Sequence, residues 1–256
     1  MSSLSSEPEA ALEAECERVS LAVLRLSETA FAERTRCTEW NVKELLAHMY
    51  RDIDRIAAYL SVSAPANVTH DAASYFVAPG PSGSAHARMV AAWAWEIADR
   101  YASGHDLARA WDDRWRRVID LVRSVDPERS VETFGPSLTL REYVKTRVVE
   151  ITVHGLDLAD AIAEPAWATG DGLAVTKDVL EVMLGSPVPV ELRLGADRLR
   201  RGGHRPAQGD GQRASPAPGP RGSVASVLLT KDARSTRSSP TVGVPSAPSA
   251  AGADRR

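Results

Sequence analysis

Three side chains in this chain have the types and spacing to hold a divalent metal: His48, Glu150 and His154. Glu150 and His154 are four residues apart, so on a helix they project from one face, one above the other. His48 lies about 100 residues earlier, between Leu45, Met49 and Asp52, on or beside the apolar face of a second amphipathic stretch. Two imidazoles and one carboxylate leave such an ion an open position for water or substrate, and helical bundles build metal sites from facing helices in this way. The spacing alone leaves plainer readings open. A histidine on an apolar face is often a hydrogen-bonded core residue, and Glu-x-x-x-His is also the spacing of an ordinary helical ion pair.

Three more polar residues sit within a turn of these. Asp52 follows His48 by four and could orient it; as a solvated residue, or a partner for Arg51 or Arg55, it would have no such role. Arg147 lies one turn before Glu150 and could contact a bound ligand or form a surface ion pair. Asp157 follows His154 by three, in a structural or ligand-orienting position. Of the two cysteines, Cys16 falls on an apolar helical stripe and Cys37 precedes the second helix, and neither is expected to be a nucleophile. Trp40 is expected to pack at the bundle end, and His70, His86 and His105 fall in loop-like, surface stretches. No Gly-x-Ser-x-Gly, phosphate-binding loop, dinucleotide fingerprint or His-Glu-x-x-His occurs. His48 is followed by Asp52 and Arg55, not by the cysteines of a His-x-x-x-Cys-x-x-Cys zinc site.

The elements that must position these residues read as helices. Residues 8 to about 33 form one, with Pro8 in its first turn. Asn41 and Glu44 make a capping-box start to a second, running to Leu60. Residues 61–83 read as a long loop, and 84–124 as a third helical region, broken near Gly104, with Trp93, Trp111, Trp115, Ile119 and Val122 inward. Asp126-Pro127 and Gly135-Pro136 bracket a connection. Thr139 and Glu142 are a full capping box for a strong helix limited by Pro165. A shorter segment, 171–184, packs Leu173, Val175, Val179, Leu180, Val182 and Met183. The expected fold is all-α, an up-and-down bundle of four main helices over residues 8–186. Residues 187–197 are read as the start of a truncated second domain, where Pro187 to Leu194 suits an edge strand.

Composition sets the remaining limits. The chain is 43% hydrophobic, enough for a buried core, and no apolar run approaches the roughly 18 residues of a membrane span. The N-terminus lacks the basic start and apolar stretch of a secretory signal, and two cysteines cannot make a disulfide framework. A cytoplasmic protein is expected. Residues 198–256 hold ten Arg and one Lys against three Asp, a net of +8, which leaves residues 1–197 at −11. That acidic surplus argues against nucleic-acid binding, which needs basic surface to neutralise phosphates. The same 59-residue tail has seven Pro, eight Gly, eight Ser and no aromatic residue, so it is expected to be disordered.

Two stretches resemble a known family. Cys37-Thr-Glu-Trp40-Asn-Val-Lys-Glu-Leu45-Leu-Ala-His48, and Arg147-Val-Val-Glu150-Ile-Thr-Val-His154-Gly-Leu-Asp157-Leu-Ala-Asp-Ala161, are similar to the two motifs of the mycothiol-dependent maleylpyruvate isomerases, in the DinB-like superfamily. The resemblance covers roughly residues 10–185. It implies a DinB-like four-helix bundle in which His48, Glu150 and His154 hold a divalent metal, usually zinc. It further implies mycothiol as the thiol cofactor, whose metal-bound thiolate attacks a small electrophile in an isomerase or thiol-transferase reaction. Bundles of this type often form homodimers. Such enzymes usually continue into a small α+β domain, and the sequence after Asp197 does not look like one. A reading-frame shift near residues 195–205 and a natural basic tail are the two explanations. The alternative function is a non-catalytic metal- or ligand-binding bundle that has lost its C-terminal domain.

Overall fold

Each helix begins where the sequence supplies a cap. In the computed structural model, which describes residues 7–77 and 83–187 with side chains omitted at 83–86, Pro8 opens α1 (Pro8–Val23). The expected single helix to residue 33 is corrected: α1 ends at Val23. The Ser27 hydroxyl then accepts from the Ala30 N–H and starts a separate 3-10 turn, Glu28–Ala32. Asn41 caps α2 (Val42–Leu60) with the full reciprocal box. Its side-chain oxygen accepts from the Glu44 N–H at 2.9 Å, and the Glu44 carboxylate accepts from the Asn41 N–H at 2.8 Å. The stretch expected as loop contains a short helix, α3 (Ala72–Val77), and the region expected to break near Gly104 is two helices, α4 (Gly83–Asp99) and α5 (Gly104–Arg123).

The connection after α5 is a hairpin that periodicity did not reveal. β1 (Ser130–Glu132) pairs antiparallel with β2 (Ser137–Thr139), and Gly135 turns between them at φ 150°, a conformation open to glycine. Thr139 caps α6 (Leu140–Ala161) through the Glu142 N–H at 3.2 Å, but the expected full box is half a box. The Glu142 carboxylate turns outward instead, accepting from the Ala72 N–H at 2.9 Å and pairing with Lys145, so it fixes α3 against α6. The last helix, α7 (Gly170–Leu184), is capped by Thr169. Val175, Val179 and Leu180 are buried as expected, whereas Val182 is 65% exposed.

Four long helices contact one another in a closed circuit: α1 on α6, α6 on α2, α2 on α5, and α5 on α1. α4 packs on α2, and α7 on α6 and α1. The fold is all-α apart from the hairpin, with seven α-helices among the described residues. The shared core is built from Leu12, Cys16, Leu45, Met49, Ile53, Trp111, Ile119 and Val148. Trp115 and Val122 are buried with it, while Trp93 is half-buried and stacks on Phe134. No helix among the described residues is long and apolar enough to cross a membrane. The expected strand ending at Leu194 and the tail 198–256 lie outside the described residues.

Two contacts outside the site decide stability. A Cβ on Gly104 would stand 2.1 Å from the Phe31 ring, so the α5 start and the 3-10 turn meet closely only with glycine there. Gly104→Ala should destabilise by about 1–3 kcal/mol, the usual penalty of overpacking, measured by urea unfolding. Glu15 of α1 is fully buried and accepts from the Thr169 N–H at 2.6 Å and from its hydroxyl, which holds α7 on α1. Burial pushes its pKa up, against the opposing Thr169 hydrogen bonds and Arg18. A carboxyl with a raised folded pKa favours folding below its unfolded value near 4.5, and this stability is lost as pH rises through the folded pKa. Glu15→Gln, which keeps the accepting oxygen, should therefore melt higher than the parent at pH 7–8. The gap should close as pH approaches 4; a gap that is constant with pH would contradict it.

Candidate metal centre

α2 and α6 are neighbours, and their facing sides bring the three proposed ligands together. One donor atom each from His48, Glu150 and His154 lie within 4.8 Å of one another. His154 Nε2 is 3.4 Å from Glu150 Oε2, and the two imidazole rings meet edge to face, 4.9 Å between centroids. That nitrogen–oxygen separation is long for an N–H···O hydrogen bond, ordinarily about 2.7–3.2 Å. It is close to the edge of a tetrahedron around an ion with bonds of about 2.0–2.2 Å, so Glu150 and His154 are spaced as two ligands of an ion of zinc's size would be. His154 is buried, and the Glu150 side chain is 25% exposed, so the cluster reaches solvent on the Glu150 side.

Trp40 forms the wall opposite. It stacks on His48 at 4.6 Å between centroids and meets His154 edge-on at 6.2 Å. Its place beside the imidazoles is more specific than the end-packing role expected of it. The connection that carries it also brings in Cys37, whose sulfur is 3.9 Å from His154 Nδ1 and 3.5 Å from Asp157 Oδ2. This contact was missed because the sequence separates Cys37 from His154 by more than 100 residues. The signal available was the position of Cys37 in the same short motif as Trp40 and His48.

Of the residues expected to orient the ligands, all three are buried. Asp157 Oδ2 is 3.4 Å from His154 Nδ1. Asp52 is 3% exposed, which removes the solvated reading, and its Oδ2 lies 3.5 Å from His48 Nε2. Arg147 is 2% exposed and pairs through Nη1 with Asp52 Oδ1 at 3.0 Å, not with Glu150 and not at the surface. Its guanidinium lies over the Tyr143 ring at 5.0 Å and near Tyr75. The other histidines stay apart: His105 pairs with Glu28, His70 contacts Thr69, and the side chain of His86 lies outside the described residues.

Burial and neighbouring groups push the two histidines in opposite directions. Burial takes His48 down to about 4, with the His154 and Arg147 charges adding to it and Asp52 and Glu150 opposing. It is neutral at pH 7, with a lone pair free to bind metal. Burial works against the charged ring of His154 too, but its polar contacts with Asp157, Cys37 and Glu150 outweigh it and raise its pKa well above the usual value. For Glu150 burial would favour the acid. The polar contact with His154 and the Arg147, His154 and His48 charges win and bring it down to about 2. A cation entering this cluster thus meets one neutral imidazole, one carboxylate and a second imidazole whose surroundings favour its protonated form and compete with the ion for the ring nitrogen.

An all-α fold whose paired helices converge two histidines and a glutamate defines a class of helical proteins with a metal-ligand cluster between helices. The sequence match narrows the class: the chain belongs to the mycothiol maleylpyruvate isomerase N-terminal domain family, matched over residues 12–159. All six site residues fall inside that span. No curated protein and no solved structure matches the chain.

Removing one partner of a buried ion pair strands the other charge, at a cost of about 3–5 kcal/mol. Asp52→Ala should lose that much in urea unfolding, because Arg147 has no exposed position to move to. The double variant Asp52→Leu/Arg147→Met should recover a large part of the loss. A loss in the double variant as large as the sum of the losses in Asp52→Leu and Arg147→Met alone would show that the pair contributes nothing to coupling α2 with α6.

Proposed function

We propose that this chain holds one divalent metal, zinc by preference, on His48, Glu150 and His154, and that it is a mycothiol-dependent isomerase or thiol transferase acting on a small electrophile. In this reading α1, α2, α5 and α6 are the four helices of an up-and-down, DinB-like bundle, working in the cytoplasm. The observation that supports it is the convergence of the three donors between α2 and α6, inside the family's matched span. A metal there would supply Lewis acidity, lowering the pKa of a bound thiol so that it is a nucleophile at neutral pH.

The chain's own residues have distinct tasks. Asp52 and Asp157 each face one ring nitrogen of a histidine, which fixes the ring orientations. Trp40 covers the two imidazoles on one side and excludes water there. Arg147 holds Asp52 in place and keeps Glu150 ionised. The Glu150 side is the route by which a small thiol and an electrophile would enter.

Metal content by mass spectrometry on untagged protein tests the site. At least one divalent ion per chain is expected, with about one ion fewer in His48→Ala and at least that loss in His154→Ala. A chain that stays empty after incubation with zinc, nickel and iron would refute the reading. With metal bound, mycothiol-dependent conversion of maleylpyruvate, or conjugation of a model electrophile, separates the enzyme from its alternative. Metal binding without any thiol-dependent turnover would favour a non-catalytic binding bundle.

A further inference from the structure

His154 offers its two ring nitrogens to two different groups of donors. Nε2 faces Glu150, in the cluster with His48; Nδ1 faces Cys37 and Asp157. The second group has its own geometry. The separations are 3.4 Å from Nδ1 to Asp157 Oδ2, 3.5 Å from Cys37 Sγ to the same oxygen, and 3.9 Å from Sγ to Nδ1. A histidine–carboxylate hydrogen bond with charge assistance is shorter, about 2.7–2.9 Å. A tetrahedral ion with bonds of about 2.0–2.3 Å to nitrogen, oxygen and sulfur has edges of about 3.3–3.6 Å. Two of the three separations match those edges, and the third is a few tenths of an ångström longer.

The cysteine is also fixed in place before any ion arrives. The Cys37 carbonyl accepts from the Trp40 N–H at 2.8 Å and from the Thr35 hydroxyl at 3.0 Å, and Arg34 donates to the Thr38 carbonyl at 2.8 Å. Arg36 clamps the connection onto α6 through a two-point ion pair with Asp160, three residues beyond Asp157. Little further backbone ordering is needed to bring sulfur, nitrogen and oxygen to one ion.

We propose that Cys37, His154 and Asp157 form a second metal-ligand set, which takes a thiophilic divalent ion such as zinc through thiolate, imidazole and carboxylate and leaves one tetrahedral corner open. On binding, the sulfur's electron pair goes to the ion and the thiol proton goes to solvent. Sulfur distinguishes the two sets: the His48 set has only nitrogen and oxygen donors, while a thiolate favours softer metals. This set needs neither His48, Glu150 nor a small-molecule thiol, and shares with the set proposed above only His154, through its other ring nitrogen.

Cobalt(II) titration of the metal-free full chain tests it, since a thiolate on cobalt gives a near-ultraviolet charge-transfer band that nitrogen and oxygen ligands do not. The band should grow with added cobalt, persist in His48→Ala, vanish in Cys37→Ser and weaken in Asp157→Asn. Cys16, fully buried in the apolar core, cannot supply it. If Cys37→Ser fails to fold by circular dichroism, alkylating Cys37 in the folded parent serves instead and should abolish the band. Visible cobalt bands with no thiolate band, all lost in His48→Ala, would overturn the proposal while leaving the His48 site intact. A thiolate band lost in both Cys37→Ser and His48→Ala would place sulfur on the same ion as His48 and overturn a separate set.

Discussion

The contact between Asp52 and Arg147 is the constraint on which the site depends. Both side chains are buried, and burying a charge is costly unless a partner meets it at hydrogen-bond distance. Because the pair crosses from α2 to α6, the helices cannot slide past one another without exposing or stranding a charge. Asp52 stands four residues after His48, and Arg147 three residues before Glu150. Fixing this one cross-helix contact therefore sets the register that brings His48 opposite Glu150 and His154. The Tyr143 and Tyr75 rings beside the guanidinium keep water from competing for it.

The electrostatics follow from that placement. One cation, Arg147, and three carboxylates, Asp52, Glu150 and Asp157, surround imidazoles that burial would otherwise leave neutral. His48 stays neutral because desolvation outweighs Asp52. His154 is pushed toward its charged form because acceptors face both of its ring nitrogens. A site with one ready imidazole and one that must release a proton has its metal affinity tied to pH. His154 is the residue that the two donor groups share.

Outside the cluster, buried polar groups also decide how elements dock. Glu15 holds the α7 cap on α1, and Glu142 leaves its own helix cap to hold the start of α3. In both cases a carboxylate satisfies backbone N–H groups at the start of another helix, which would otherwise lack partners. The helices that carry ligands are thus braced by neighbours that carry none.

Local chemistry was legible in the sequence, because caps and helical spacing act within a few residues. Asn41 with Glu44 marked the start of α2, and Thr139 that of α6. The four-residue step from Glu150 to His154 put both side chains on one face. The quoted motifs brought His48 into the same group and pointed to the family. Other features depended on contacts distant in sequence. The break after Val23, the short α3 and the hairpin around Gly135 were too short or irregular to give a period. Glu142 abandoned its capping box because Ala72, seventy residues away, offered an N–H. Asp52 and Arg147 could each be read as a ligand-contacting or as a surface residue; only the packing of α2 on α6 buried them together. Cys37 reached His154 because Arg36 ties its loop to Asp160. The sequence by itself determined which side chains could serve as ligands and which helices carry them. The tertiary structure decided which of them meet, because burial and cross-helix pairing are properties of the packed chain and not of any one segment.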